Sequence, residues 1–235
     1  MAESMSLTQI PLTIIVAATT KNGIGRAGGL PWPMLKKDMA YFARVTKRVP
    51  VPKDTGSLQS DKLKETMLSG TRQNLVIMGR KTWESIPPKF RPLKDRTHIV
   101  ISSQDRASLQ PIPDDVVVAS DILSGLQTLE ESIKAGKSLP VGRAFVIGGS
   151  SIYKAALELP QLQRILLTRI EKDYDCDTFF PIGLGKGQES SGEWRCATHE
   201  ELRNFVQEEI EENPVQQESG KDLVSLHFQL FERTA

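Results

Sequence analysis

Short runs rich in Ile and Val alternate with helical patterns along this chain, and two of those runs end in glycine directly before a helix. Val76-Ile77-Met78 leads into Gly79, and Phe145-Val146-Ile147 leads into Gly148-Gly149. Strands joined through helices belong to an α/β fold, because parallel pairing needs a crossover long enough to carry the chain back. Each junction also leaves backbone N–H groups at a helix start, where a phosphate is well received. Two such junctions on one sheet would suit a pyrophosphate, although a single glycine often does no more than turn a corner.

The rest of the pattern extends this reading. Leu12 to Ala18 is a central strand, followed by a polar, glycine-rich loop from Thr19 to Trp32. A helix is predicted to start at Pro33 or Met34, since proline suits the first turn, and to end near Thr46. Strands are predicted at Asn74 to Met78, His98 to Ile101, Val116 to Ala119, Phe145 to Ile147, Gln163 to Ile170, Trp194 to Thr198 and Leu223 to Phe231. Helices are predicted at Lys81 to Ser85, Asp121 to Lys134 (capped by Ser120 or Asp121) and Ser150 to Leu157. A short helix at Asp61 to Leu68 would sit in a surface insertion, about 47–72. A second insertion, about 183–220, includes the acidic stretch Glu200 to Glu218, which reads as exposed. Strands and helices alternate early and paired strands close the chain. The expectation is one α/β domain over 1–235, with a mostly parallel sheet and antiparallel strands at one edge.

Two motif matches fail on context. Gly23-Ile24-Gly25-Arg26-Ala27-Gly28 fits the letters of G-x-G-x-x-G, but Gly29, Pro31 and Pro33 follow and no helix can start there. A long lid-like loop is the better reading. Gly79-Arg80-Lys81-Thr82 looks like the tail of a P-loop, yet the upstream glycine would fall at Asn74, inside a strand.

The helix after Pro33 places Leu35, Met39, Phe42 and Val45 along one stripe, with Asp38 on the same side. A carboxylate on an apolar stripe is costly unless paired; a first-turn acid helped by the helix dipole is the plain alternative. Arg91, between Phe90 and Pro92, could clamp a carboxylate bidentately. Arg80, with Ser102 and Ser103 at the end of the next strand, could hold a further phosphate. His98, His199 and His227 show no ligand spacing, so no metal site is expected. Two cysteines, Cys176 and Cys196, make no disulfide framework and suit a reducing compartment. The N-terminal segment lacks a signal-peptide pattern, and the apolar run Ile10 to Ala18 is too short to span a bilayer. With a formal net charge of +1, no global field draws the chain to nucleic acid or membrane. A soluble, cytoplasmic monomer is expected.

Taken together, these stretches resemble the dihydrofolate reductase family. The first block is Gly25-Arg26-Ala27-Gly28-Gly29-Leu30-Pro31-Trp32, with Asp38, Phe42 and Thr46 following at the family's spacing. Val76 to Trp83, Phe145 to Tyr153, Leu167-Thr168-Arg169-Ile170 and Asp177-Thr178-Phe179-Phe180-Pro181 follow in the family's order. The resemblance implies a mixed eight-stranded sheet and NADPH-dependent reduction of dihydrofolate to tetrahydrofolate, with antifolate drugs as inhibitors.

It also implies roles. Asp38 would be the active-site acid, supported by the Thr168 hydroxyl, with a proton reaching N5 through water near Trp32. Ile15, Val16, Met39, Phe42 and the Ile147 carbonyl would line the pterin and benzoyl rings, and Arg91 would take the glutamate α-carboxylate. Ala17, Ile24, Gly149 and Ser150 would follow the nicotinamide and pyrophosphate, with Gly148, Ser151, Ile152 and Tyr153 in the same block. Gly79, Arg80, Lys81 and Thr82 would cradle the adenine-side phosphate, with Ser102 and Ser103 near the 2′-phosphate. The Gly148-Gly149 bond would be cis. A buried Asp38 would have a raised pKa. Two rivals differ in what they require. A riboflavin-pathway pyrimidine reductase on the same fold has no pteroylglutamate for Arg91 to hold. A non-catalytic nucleotide-binding module has no need of Asp38 or Thr168.

Overall fold

A computed structural model describes residues 6–50, 71–109, 111–184, 192–219 and 222–234. In chain order the elements are β1 (Leu12–Thr19), β2 (Gly23–Gly25), α1 (Lys36–Lys47), β3 (Gln73–Gly79), α2 (Arg80–Ser85), β4 (Arg96–Ile101), β5 (Val117–Ala119) and α3 (Ile122–Lys134). There follow β6 (Val141–Val146), α4 (Ser150–Leu157), β7 (Leu162–Ile170), β8 (Thr178–Phe179), β9 (Trp194–Cys196), α5 (His199–Val206), β10 (Val215–Ser219) and β11 (Asp222–Arg233). The predicted helix at 61–68 lies outside the described residues. No described helix is long and apolar enough to cross a membrane.

The chain forms two compact units, one of Met1–Pro11 with Thr46–Phe145 and the other of Leu12–Val45 with Val146–Ala235. In the first unit β3 and β4 pair in parallel from Asn74 opposite Arg96 to Gly79 opposite Ile101, and β5 adds in parallel to β4. Leu75 to Met78 and Ile99 to Val100 are wholly buried, as the continuous apolar runs of parallel strands require. Helix α3 covers β4 and β5 with Leu126 and Leu129 buried. It starts where Asp121 accepts from the Ser124 N–H at 2.9 Å, so Asp121 rather than Ser120 is the cap. Asn74 has no exposure. It donates to the carbonyls of Thr46 and Arg48 and accepts from the Arg143 N–H, which ties three chain segments together.

In the second unit β1 pairs in parallel with β7. Strand β11 lies antiparallel on the other side of β7 and carries β10 and β9. The expected fold class, α/β with mostly parallel pairing and antiparallel strands toward the C-terminal end, is the one observed. The cluster Trp32, Leu35, Ile170, Val224 and Leu226 packs between the start of α1 and these strands.

Three expectations are corrected. Helix α1 begins at Lys36, not at Pro33 or Met34; the Met39 N–H bonds back to Leu35 O, and burial of Trp32 and Leu35 holds the preceding segment out of the helix. The buried residues of α1 are Asp38, Tyr41, Val45 and Thr46, with Leu35 buried just before the helix, whereas Met39 is 43% exposed. The acidic stretch 200–218 is not an exposed insertion. It holds α5 and β10, and buries Leu202, Val206, Ile210, Val215 and Gln217, because Leu202 and Val206 share one helical face and Val215 and Gln217 share one strand face. Smaller differences concern the glycine-rich loop, which contains β2 paired to β8, and Ile147, which lies just past the end of β6.

Candidate active site

The acid comes from α1. Asp38 is 9% exposed, and burial raises its pKa to about 6 against a smaller downward pull from its hydrogen bond with Thr168. Thr168 lies on β7 with Ala17 of β1 as its register partner and Phe228 of β11 on the other side. Strand pairing therefore fixes where the hydroxyl stands. Helix α1 is fixed at its N-terminal end from β10, where the Gln217 side chain accepts from the Lys37 N–H at 2.7 Å and the Gln216 carbonyl takes the Lys37 ammonium at 2.8 Å. A helix start needs acceptors for its first N–H groups, and here a neighbouring strand supplies one, next to the catalytic candidate.

Several of the apolar candidates are sheltered from solvent. Ile15 and Val16 on β1 are nearly buried, as is Trp32, while Phe42 is half-buried. The Trp32 and Tyr174 rings meet edge to face, centroids 5.9 Å apart. Tyr41, buried at 2%, stacks on Phe228 at 4.2 Å, and burial with the nearby Glu208 and Asp38 charges raises its phenol. The sequence reading did not single it out; its position three residues after Asp38, one helical turn on, was the available signal.

The glycine pair lies in the same unit. The Gly148-Gly149 peptide is cis, as the resemblance implies. Gly148 has φ 111°, a region closed to side chains, and a Cβ there would come within 3.1 Å of the Tyr153 hydroxyl. That hydroxyl donates to the Ile15 carbonyl at 3.0 Å, so α4 pins β1 beside the acid. No side chain caps the start of α4, which keeps its first N–H groups available to an anion. Ser150 donates to the Phe179 carbonyl at 3.0 Å, Ser151 is exposed, and Ile152 is buried. Ile24 stands half-buried on β2, as do Ala17 on β1 and Ile147 beside the pair.

The remaining candidates belong to the other unit. Gly79 closes β3 and precedes α2. Arg80 is bonded to Glu84 at 2.8 and 2.9 Å, Lys81 is exposed and Thr82 half-buried. Ser102 and Ser103 line a cavity of about 550 Å³ at the ends of β4 and β5, together with Arg106, Asp114 and Ser120. Its one arginine is engaged by the Val116 carbonyl at 2.6 Å, the Pro113 carbonyl and Asp114. Arg91 donates to the Trp83 carbonyl at 3.1 Å and lies over the Trp83 indole.

One arginine was passed over. Arg96 opens β4 with 9% exposure, donating to the Thr46 hydroxyl at 2.9 Å and the Lys94 carbonyl at 3.1 Å. Burial lowers its pKa to about 10, Asp95 pulling the other way. A buried guanidinium at the start of a strand is a candidate to receive an anion. In sequence it reads as a charged flank to an apolar strand, and only burial sets it apart.

The chain is similar to known proteins in both sequence and structure. A sequence profile described as dihydrofolate reductase matches residues 62–213. Dihydrofolate reductase of Pneumocystis carinii is 41% identical over 198 residues, 84% of this chain and 86% of that protein. That of Mus musculus is 41% identical over 177 residues, covering 75% and 82%. The match to the Schizosaccharomyces pombe protein, 38% identical, spans 94% of this chain but 46% of that longer relative. Among solved structures, Schistosoma mansoni dihydrofolate reductase superposes with a TM-score of 0.66 at 29% identity, over 96% of this chain and 99% of the other. A buried acid paired with a threonine, a cis glycine pair and relatives of this identity agree: the chain belongs to the dihydrofolate reductase family of oxidoreductases.

Proposed function

We propose that this protein reduces 7,8-dihydrofolate to 5,6,7,8-tetrahydrofolate with NADPH, adding a hydride at pterin C6 and a proton at N5. The observation that carries this reading is Asp38, a buried carboxyl held by Thr168 with its pKa raised to about 6. An acid tuned toward neutrality in an apolar setting can pair with the pterin's amino and ring N–H donors and still lie close in free energy to its protonated form.

The residues present fit the cofactor. The glycine pair offers no side chain in the way of a pyrophosphate, the start of α4 is uncapped, and the end of β4 carries two serines. NADPH, when bound, supplies the hydride. Ala17, Ile24 and the block Gly148, Gly149, Ser150, Ser151, Ile152, Tyr153 would hold its nicotinamide and pyrophosphate. Gly79, Arg80, Lys81 and Thr82 would hold the adenine-side phosphates, with Ser102 and Ser103 near the 2′-phosphate.

The chain's own contribution is orientation, exclusion of water and custody of one proton. Ile15, Val16, Met39, Phe42 and the Ile147 carbonyl orient the pterin and benzoyl rings. Asp38 anchors the pterin and sustains the proton that a water beside Trp32 hands to N5. Two guanidiniums compete for the substrate's α-carboxylate. Burial favours Arg96, held by Thr46, over Arg91, which already serves the Trp83 carbonyl. Antifolates would occupy the same pterin site. Two free cysteines, one exposed, suit a reducing cytoplasm.

The test is NADPH consumption, followed by near-ultraviolet absorbance, on adding dihydrofolate to the purified protein. Rapid loss blocked by methotrexate is the expected result. NADPH bound but not consumed would favour a non-catalytic module, and consumption only with a riboflavin-pathway pyrimidine would favour that reductase.

A further inference from the structure

Asp38, Tyr41 and Arg44 follow one another at three-residue spacing on α1, so their side chains stand one above the next along the helix. Each is fixed from a different part of the same unit. Asp38 meets Thr168 on β7. The Tyr41 ring stacks on Phe228 of β11 at 4.2 Å, and Phe228 is the register partner of Thr168. Arg44 forks onto Glu208, with Nε and a terminal nitrogen each 3.0 Å from a carboxylate oxygen. The Tyr41 hydroxyl makes no hydrogen bond among the described residues. Packing alone therefore holds the middle turn, and the polar contacts sit at the two ends. No role described so far uses Arg44 or Glu208.

The fork differs from an ordinary surface ion pair. The Glu208 side chain is only 9% exposed, although that of Arg44 is half in solvent. Two parallel hydrogen bonds fix direction as well as distance, while burying a carboxylate to make them adds little net stability. Glu208 is itself anchored. It follows Gln207, the left-handed residue that ends α5. Two residues further on, the Ile210 carbonyl is hydrogen-bonded to His199 Nε2 at 2.8 Å. Ile210 and Val215 are buried, and β10 is paired to β11. The same stretch then returns to α1 at Gln217, which accepts from the Lys37 N–H. Residues 208–217 thus grip α1 at Lys37 and again at Arg44, two turns or about 10 Å apart along the axis. Asp38 lies between the grips.

We propose that Arg44 and Glu208 are positioning residues for the reduction: the strap 208–217 holds α1 in one rotation against the sheet, and so presents the Asp38 carboxyl to the two N–H donors of the pterin. The proposal rests on the reading of Asp38 given above. With the fork gone, the polar grip at Lys37 remains and the helix is free to turn about it. Two parallel hydrogen bonds tolerate little misalignment, so a small rotation of α1 weakens both.

The experiment combines Arg44→Met with Glu208→Leu, which removes both charges together and strands neither. Replacing a buried ion pair by apolar side chains is close to neutral for folding, so Tm should hardly move. The kcat/KM for dihydrofolate should fall about tenfold, the cost of a slightly misplaced group, while KM for NADPH stays unchanged. Affinity for folate, read from quenching of tryptophan fluorescence, should fall in parallel and needs no turnover. Arg44→Lys, a milder change, keeps the charge but not the fork and should show most of the same loss. Wild-type kinetics and folate affinity in either variant, or equal losses toward dihydrofolate and NADPH, would overturn the positioning role. Absence of turnover by the wild-type protein, with folate still bound, would overturn the reading beneath it instead.

Discussion

Thr168 on β7 donates its hydroxyl to Asp38 on α1 while its backbone sits between Ala17 and Phe228 in the sheet. The pair therefore joins a rigid donor to a carboxylate that burial drives toward protonation, and the two effects oppose each other.

Asp38→Asn separates function from stability. Turnover should fall by about a thousandfold or more, while NADPH binding stays near normal. Stability should move the other way. A carboxyl raised from 3.8 to about 6 on folding binds its proton more tightly in the native state. The protein is then most stable below pH 4 with respect to this group and loses stability as pH rises to about 6. Two pKa units correspond to about 3 kcal/mol, an upper bound on what the amide recovers at neutral pH. Urea unfolding at pH 5 and pH 7.5, with rate measurements, checks both halves.

Thr168→Val should remove the one contact that favours the carboxylate. The pKa of Asp38 then rises further, by roughly one unit for a lost hydrogen bond to a charged group. The limb that Asp38 sets in the pH profile of kcat/KM should move up accordingly. An unmoved profile would separate Thr168 from the acid.

Arg96→Gln and Arg91→Gln distinguish the two guanidiniums on the monoglutamate substrate. Loss of a buried charged partner costs about 3 kcal/mol or more, so KM should rise roughly a hundredfold for Arg96→Gln. Arg91→Gln should cost markedly less. The reverse order would return the α-carboxylate to Arg91.

Gln217→Ala leaves the Lys37 N–H without its side-chain acceptor. A lost helix cap costs about 1 kcal/mol, which lowers Tm by roughly 2–4 °C in a protein of this size. Because Asp38 is the next residue after Lys37, KM for dihydrofolate should also rise a few fold, a change that a surface cap elsewhere would not produce. Calorimetry and steady-state kinetics on the same preparation test this.

Arg80→Ala tests the cofactor assignment. Arg80 must leave Glu84 to serve a phosphate. Its loss should weaken NADPH by roughly tenfold or more, the value of a charge-assisted hydrogen bond, and NADH much less. Equal losses, read by fluorescence titration, would detach Arg80 from the 2′-phosphate.

How much of this was legible beforehand depends on the range of the interaction concerned. The strand–glycine–helix junctions at Gly79 and Gly148, the failure of the Gly23–Gly28 match as a helix start, and the position of Asp38 all follow from local rules of backbone conformation and spacing, which act within a few residues. Family resemblance added roles for residues already in those blocks. Pairing across long separations was not legible. Nothing local says that the acidic stretch near 217 returns as a strand and caps the helix at Lys37, or that Tyr153 reaches the Ile15 carbonyl. Nor does Arg96 differ from any strand-flanking arginine until Thr46, fifty residues earlier, is brought against it. Sequence by itself determined most of the elements and the chemistry available on them. Tertiary structure decided which charges are buried, and burial converts an ordinary aspartate and an ordinary arginine into candidates for a catalytic acid and an anion clamp.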